Sequence, residues 1–359
     1  MGEAVRRFAR FAICQLVLVA VLAGSVCALS YTITDLNVPP PSGLYSVTVT
    51  DVNNLGQVVG FTRESSGLEQ GWIYKDGTAQ TLSMTGDRCE VQSINDSGTI
   101  AGSCRTPQSW RPYLWQSGQM IPLQMPAAQF AEAFAINNSG QVAGGYWTGS
   151  GYRPCIWDST GVHDVGTTLT GLIGDLADNG SAVGTTNDSK AFLVTNGVPQ
   201  FLSSLWGSSA SAASAINEAG AVVGYSTTAD GKAHACLWQD GVPHDLGAPA
   251  GEASIATGIN ESGAIVGYGG PYPGAVYFNR AFVWSDGVKY NLQDLIPADS
   301  GWSIGAPCGI NDQGQIVGTG SHDGKSAAFI LTPYVPEPSS VLGLLTGIGV
   351  LKLIRRVRR

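Results

Sequence analysis

The sequence predicts an all-β protein, a seven-bladed β-propeller of four-stranded repeats that its N-terminal strand completes. Three observations carry that expectation. The phrase aliphatic-Asn-x-x-Gly-x-aliphatic-aliphatic-Gly is written seven times at a spacing of about 40 residues. A phrase ending in Trp, and then one ending in Leu or Val, follows most copies. Finally, 48 Gly and 18 Pro in 359 residues, with 13% charged residues, are too turn-rich for long helices or a coiled coil. A hydrophobic content of 43% is too high for a disordered chain.

The first strand is Tyr31–Leu36, a lone copy of the third phrase. Copies of the first phrase begin at Val52-Asn53, Ile94-Asn95, Ile136-Asn137, Leu176-Ala177, Ile216-Asn217, Ile259-Asn260 and Ile310-Asn311. Their second positions lie 42, 42, 40, 40, 43 and 51 residues apart, and only Ala177 departs from Asn. The second phrase reads Gly71-Trp72-Ile73-Tyr74, Tyr113-Leu114-Trp115, Cys155-Ile156-Trp157, Cys236-Leu237-Trp238 and Phe282-Val283-Trp284, with weaker copies at Phe192 and Phe329. The third reads Thr81-Leu82, Pro122-Leu123, Asp164-Val165, Phe201-Leu202, Asp245-Leu246 and Asp294-Leu295. Each repeat is therefore four short strands, a to d, separated by Asn/Gly and Asp-Gly turn chemistry. Six third phrases follow the Trp strands, so Tyr31–Leu36 is the seventh and pairs beside Ala327–Leu331 to close the ring. Closure removes an open edge that would invite aggregation.

The two ends read as addresses. Arg6, Arg7 and Arg10, the apolar stretch Phe11–Leu22 and Val26-Cys27-Ala28 make residues 1–28 a secretory signal peptide with a signal helix. At the other end, residues 334–359, Pro336-Glu337-Pro338 precedes an apolar run from Val341 to Ile354 and the basic tail Arg355, Arg356, Arg358 and Arg359. The run reads as a short hydrophobic transmembrane helix whose basic tail stays cytoplasmic. This order resembles the PEP-CTERM sorting signal of exported bacterial proteins. The resemblance implies an exosortase-like processing enzyme as partner and a transient inner-membrane anchor. It further implies release to the cell surface or extracellular matrix, in contact with exopolysaccharide.

The propeller body, residues 29–333, resembles over residues 31–333 the HAF family of extracellular repeats. The matching positions here read His234-Ala235-Cys236-Leu237-Trp238 and Arg280-Ala281-Phe282-Val283-Trp284, and no copy spells His-Ala-Phe. That family implies export and repeats, not a catalytic activity.

Charge and motifs narrow the function. Net charge is −8, and the body between the basic ends carries −15. It therefore lacks the basic stripe that nucleic acid requires. No G-x-S-x-G elbow, H-E-x-x-H or P-loop occurs, so no catalytic residue is assigned. The repeated Asn reads as a side chain bonding its own turn, and the repeated Trp as packing between blades. Asp158, Asp164, Asp178, Asp188, Asp230 and Asp323 sit in loops of Ca²⁺-ligand composition without EF-hand spacing, so no metal site or cofactor is assigned and Ca²⁺ is a minor expectation. His163 and His244 occupy equivalent repeat positions, which argues for structure; His234 and His322 carry no motif. Of the cysteines left after export, Cys89 and Cys104 fall opposite each other if Asn95 faces Gly98 across a two-residue loop, making them a disulfide candidate. Cys155 and Cys236 hold the same position in non-adjacent blades. The expectation is an exported non-enzymatic repeat protein with a structural, adhesive or ligand-binding role. The alternative is a secreted polysaccharide lyase or glycosidase, which requires carboxylates or a His/Tyr/Arg group converging on one rim of the propeller.

Overall fold

In a computed structural model, residues 29–38, 45–107, 109–125, 128–207, 209–249, 252–271 and 280–334 are described. The signal segment 1–28, the Pro336-Glu337-Pro338 motif, the apolar run and the basic tail through Arg359 lie outside the described residues. Tyr31–Pro333 forms one compact unit of antiparallel four-stranded blades.

Chain order gives seven blades. The first is β2 (Tyr45–Val52), β3 (Val58–Glu64), β4 (Glu69–Lys75) and β5 (Thr78–Thr81). The second is β6 (Arg88–Ile94), β7 (Ile100–Thr106), β8 (Ser109–Gln116) and β9 (Gln119–Pro122). The third is β10 (Ala131–Ile136), β11 (Val142–Trp147), β12 (Tyr152–Asp158) and β13 (Gly161–Asp164). The fourth is β14 (Gly171–Leu176), β15 (Ala182–Thr186), β16 (Ala191–Thr195) and β17 (Val198–Phe201). The fifth is β18 (Ser211–Ile216), β19 (Val222–Thr227), β20 (Ala233–Gln239) and β21 (Val242–Asp245). The sixth is β22 (Ala253–Ile259), β23 (Ile265–Gly270), β24 (Arg280–Ser285) and β25 (Val288–Asn291). The seventh joins β26 (Trp302–Ile310), β27 (Ile316–His322) and β28 (Lys325–Pro333) to β1 (Tyr31–Asp35). The closing pair runs antiparallel from Tyr31↔Pro333 to Asp35↔Phe329. His322 Nδ1 reinforces it, 2.8 Å from Asp35 Oδ2. Strand d of blade 6 ends three residues before the position expected from Asp294-Leu295. The fully buried Leu292 takes the place of that Leu, and Asn291 caps a 3₁₀ turn over Leu292–Leu295 by accepting from Gln293 N–H.

The apolar clusters straddle adjacent blades. Trp157 packs with Ala101 and Leu114 of the preceding blade, and Trp238 with Val183 and Ala191. Both indoles donate to a carbonyl of the preceding d–a connection, Trp157 to Gln124 and Trp238 to Ser203, each at 2.7 Å. In blades 3 and 5 the Trp phrase is thus interblade packing with a polar handle, whereas the buried indole N–H groups of Trp72 and Trp115 meet no acceptor among the described residues.

One irregularity repeats in every blade and explains the last Gly of the motif. Strand a carries a β-bulge, at Val49/Asp51, Val91/Ser93, Ala133/Ala135, Ile173/Asp175, Ala213/Ala215, Ala256/Gly258 and Pro307/Gly309. The bulge drives a strand-a carbonyl against strand b. A Cβ on Gly224 would lie 2.0 Å from the Ala212 carbonyl oxygen, and one on Gly144 2.0 Å from that of Glu132. Only Gly fits there.

The bulge also corrects the register expected for the cysteines. Asn95 faces Thr99, not Gly98: its N–H donates to the Thr99 carbonyl around a three-residue loop whose Gly98 has φ +79°. That loop pairs Ile94 with Ile100, a register in which Cys89 would miss Cys104. The bulge at Gln92 takes up one residue, so Val91 faces Gly102 and Cys89 faces Cys104. Loop and bulge offset each other, and the two cysteines form a disulfide with Cα atoms 4.1 Å apart. Cys155 and Cys236 are buried free thiols.

Replacing Gly224 with Ala is expected to lower unfolding free energy by about 3 kcal/mol through this backbone clash. Chemical denaturation checks it against Gly241→Ala, where a Cβ meets nothing within 4 Å and only the positive φ of 76° opposes the change.

Candidate functional site

The a–b loops of all seven blades converge on a cavity of about 230 Å³ at the ring axis. The bulged residues of strand a, among them Thr50, Gln92, Phe134, Ser214 and Cys308, line a second cavity of about 160 Å³ on the same axis. Together they form the mouth and interior of a central channel.

Its first layer is the repeated Asn, which bonds in both directions. Within its own turn, Oδ1 accepts from the N–H four residues on: Gln57 to Asn53, Thr99 to Asn95, and Gln141 to Asn137, at 2.9–3.0 Å. Across the seam, Nδ2 donates to the carbonyl of the equivalent residue in the next blade. Asn53 reaches Asn95, Asn95 reaches Asn137, and Asn137 reaches Ala177, each at 3.0 Å. Asn217 reaches Asn260 at 3.2 Å; Asn260 reaches Asn311 and Asn311 returns to Asn53, each at 3.0 Å. The reading of these residues as turn-formers therefore covers half of their bonding; the other half ties blade to blade.

Ala177 breaks the belt, and Asn179 mends it from two residues away. Its Oδ1 accepts from Ser181 N–H at 2.8 Å, and its Nδ2 crosses to the Glu218 carbonyl at 3.2 Å.

The second layer is the residue after each repeated position: Asn54, Asp96, Asn138, Asp178, Glu218, Glu261 and Asp312. Each backbone N–H donates to the side-chain oxygen of the next member, always in the same sense. Asn54 donates to Asp96 (2.8 Å), Asp96 to Asn138 (2.8 Å), Asn138 to Asp178 (2.6 Å), and Asp178 to Glu218. Glu218 donates to Glu261 (2.9 Å), Glu261 to Asp312 (2.9 Å), and Asp312 to Asn54 (3.0 Å), which closes the ring. The signal was legible, since this position is Asn, Asp or Glu in all seven copies, but only the ring geometry gives it a meaning.

Deeper in the channel, Asp51 and Asp175 bridge two of the seams. Asp51 Oδ2 accepts from Ser93 Oγ at 2.7 Å and Ile94 N–H at 3.0 Å; Asp175 Oδ2 accepts from Ile216 N–H at 2.8 Å. Burial pushes both carboxyls up to about 6, against the lowering effect of these bonds. Burial also raises Glu261, with Asp312, Glu218 and Asp178 adding repulsion. The mouth is lined by Asp51, Asp96, Asp175, Asp178, Glu218, Glu261 and Asp312, with no Lys, Arg or His among its lining residues.

Of the expected loop carboxylates, only Asp178 reaches this site. Asp158 accepts from Thr160 and lies 3.0 Å from His163; Asp164 accepts from Tyr146 and Arg153; Asp188 and Asp230 bind Thr186 and Thr228 of their own turns. Asp323 sits in a tight turn with φ 49°. Among the described residues, no group of three or more His, Cys, Asp or Glu side chains is arranged to hold a metal ion. His234 pairs with Asp245 at 3.0 Å, and His244 lies cross-strand from Leu237, so the four His fall in three blades: His163 in blade 3, His234 and His244 in blade 5, and His322 in blade 7.

No family model matches the chain, and no curated protein matches it. The fold has solved counterparts. A streptogramin B lyase structure aligns at TM-score 0.51 and 13% identity, over 85% of this chain and 98% of its own. A puromycin-hydrolyzing peptidase of Mycobacterium tuberculosis aligns at TM-score 0.52 and 13% identity, over 84% of this chain and 54% of its own. Likeness at such identity shows the fold alone: this chain is a seven-bladed β-propeller.

Two outcomes are expected. Asn179→Ala should cost about 1 kcal/mol by removing one bond within its turn and one across the seam. Adding Ala177→Asn should restore most of that loss, because Asn then stands where the other blades carry it; a double-mutant cycle by urea denaturation measures the coupling. The second concerns pH. A carboxyl raised in the folded state stabilises below its unfolded value and loses that contribution as pH rises through about 6. Between pH 7.5 and 5 the wild type should therefore gain on the order of 1–2 kcal/mol per aspartate relative to Asp51→Asn/Asp175→Asn, as thermal melts across that range will report.

Proposed function

We propose that this chain is an exported, non-enzymatic repeat protein of the cell surface or extracellular matrix, acting as a rigid scaffold that binds rather than transforms. One observation carries the reading: every ring carboxylate at the mouth accepts the backbone N–H of the preceding blade, so the polar groups that converge there hold the ring together. Backbone N–H donors stabilise the ionised carboxylate and make it a weaker base.

Export is supported by the sequence of residues 1–28 and by the disulfide Cys89–Cys104, which belongs to oxidising compartments. The Pro336-Glu337-Pro338 segment with its basic tail supports sorting by an exosortase-like enzyme after a transient stay in the inner membrane, then contact with exopolysaccharide. An acidic mouth favours cationic groups on whatever it meets.

A second reading draws on the same cavity. Seven carboxylates in one lining, with three of them raised, are the raw material of a polysaccharide lyase or glycosidase.

The test is a glycan array together with a turnover screen on exported protein, plus mass spectrometry of its C-terminus. Binding without turnover, and loss of the tail that includes Arg359, are expected. Product formation abolished by Glu261→Gln would transfer the conclusion to the enzyme reading, and an intact Arg359 on mature surface protein would refute the sorting step.

A further inference from the structure

The seven repeats serve as controls for one another, and one outer groove differs from its equivalent in charge. Two grooves recur at the same place, where the d–a connection entering a blade lies over the ends of strands b, c and d: on blade 4 (Gly166, Leu169, Phe192, Pro199) and on blade 6 (Gly247, Pro249, Phe282, Lys289). A third, on blade 7, is bounded instead by the connection that leaves the blade (Asn37, Val38, His322, Lys325) and reaches Val47 of blade 1. The blade 4 groove includes Asp188, and the blade 7 groove includes Asp35 and Asp323. The blade 6 groove, about 450 Å³, is lined by Arg280 and Lys289 and by no carboxylate.

Two substitutions of the repeat produce that difference. The residue cross-strand from the last position of the c-strand phrase is Ala79, Met120, Val162, Pro199, Pro243 and Ile33 in six blades, and Lys289 in blade 6. Two residues later in strand d, Asp164 and Asp245 occupy blades 3 and 5, where they pair with the c-strand side chains Arg153 and His234. Blade 6 has Asn291 in their place, cross-strand from Phe282. Arg280, the counterpart of His234, turns instead to Glu252, with Nη2 3.0 Å from Oε1.

The groove is amphipathic. Phe282 and Ala281 are buried in its floor, while Arg280 and Lys289 are exposed at its rim. Lys289 Nζ lies 4.1 Å from the Phe282 ring centroid and donates to the Gly247 carbonyl at 2.7 Å and the Leu246 carbonyl at 3.1 Å. These two bonds use two of the three ammonium protons and leave one for a ligand. Desolvation of the amine beside Phe282 lowers Lys289, and Asp245 partly offsets it. Lys289 keeps one free donor, and Arg280 keeps donors beyond its contact with Glu252.

We propose that this groove binds a small organic carboxylate whose anionic group meets Lys289 and Arg280 and whose ring covers the Phe282–Pro249 floor. A volume of about 450 Å³ lies in the range of ligand sites and accommodates one or two six-membered rings. The inference does not depend on export or on the fate of the C-terminus.

The experiment titrates full-length protein at low ionic strength with four probes, following side-chain resonances or heat. D-Glucuronate and benzoate carry the carboxylate on a sugar and on an aromatic ring; glucose and benzyl alcohol are their neutral counterparts. Saturable binding of glucuronate or benzoate, near the millimolar range and at least tenfold tighter than its neutral counterpart, is expected, as is weakening by salt. Which acid binds tells a sugar acid from an aromatic acid. Lys289→Met keeps the stem and removes the charge, and should weaken binding at least tenfold. Arg280→Gln provides an independent loss should the first variant fold poorly. Arg153→Gln, at the equivalent position of blade 3, should leave binding unchanged. Absence of saturable binding by both acids, equal affinity for the neutral counterparts, or unchanged binding in folded Lys289→Met protein would each overturn the proposal.

Discussion

Strands that converge on the axis of a propeller expose an inner edge, and the loops that end them bring backbone N–H and C=O groups together where other elements are scarce. Buried groups of that kind must be paired. Here two rings of side chains meet that demand, one above the other. The repeated Asn gives its carbonyl oxygen to its own turn and its amide to the next blade, while the following residue accepts the N–H of the blade before it. Each member both gives and receives, except at the step from blade 4 to blade 5, which Asn179 carries in place of Ala177, and the seams form a directional cycle that returns from Asn311 and Asp312 to Asn53 and Asn54.

This arrangement has an electrostatic consequence. Acceptors for seven N–H groups are supplied by five carboxylates and two amides, which concentrates negative charge on the axis. Adding Asp51 and Asp175 below them raises the cost of full ionisation, which is why burial and mutual repulsion push several of these groups upward. The acidity of the mouth is a by-product of how the ring is held, and it sets which ligands can approach.

At the periphery the constraint relaxes. Outer strands are short and partly exposed, and their residues vary from blade to blade without disturbing the axis. Lys289, Asn291 and Arg280 differ from their equivalents in a region where the fold tolerates difference. In a repeat protein this division separates positions that hold the architecture from positions free to acquire a ligand.

The sequence by itself determined the number of repeats, the four strands in each, the buried Trp of strand c and the use of Tyr31 to Leu36 to finish the last blade, because strand period and turn chemistry are local and are repeated seven times. It misplaced strand d of blade 6 by three residues, since Leu292 and Leu295 both fit a Leu-ending phrase and only packing selects Leu292. It brought Cys89 opposite Cys104 through a two-residue loop that does not exist; a longer loop and a bulge cancel, and neither is visible in a pattern of residue types. The bonds from Asn53 to Asn95, the repair of Ala177 by Asn179 and the ring from Asn54 to Asp312 belong to the tertiary structure alone. They join residues about 40 or more positions apart, and a sequence records which side chains can bond but not which seam will bring them within 3 Å.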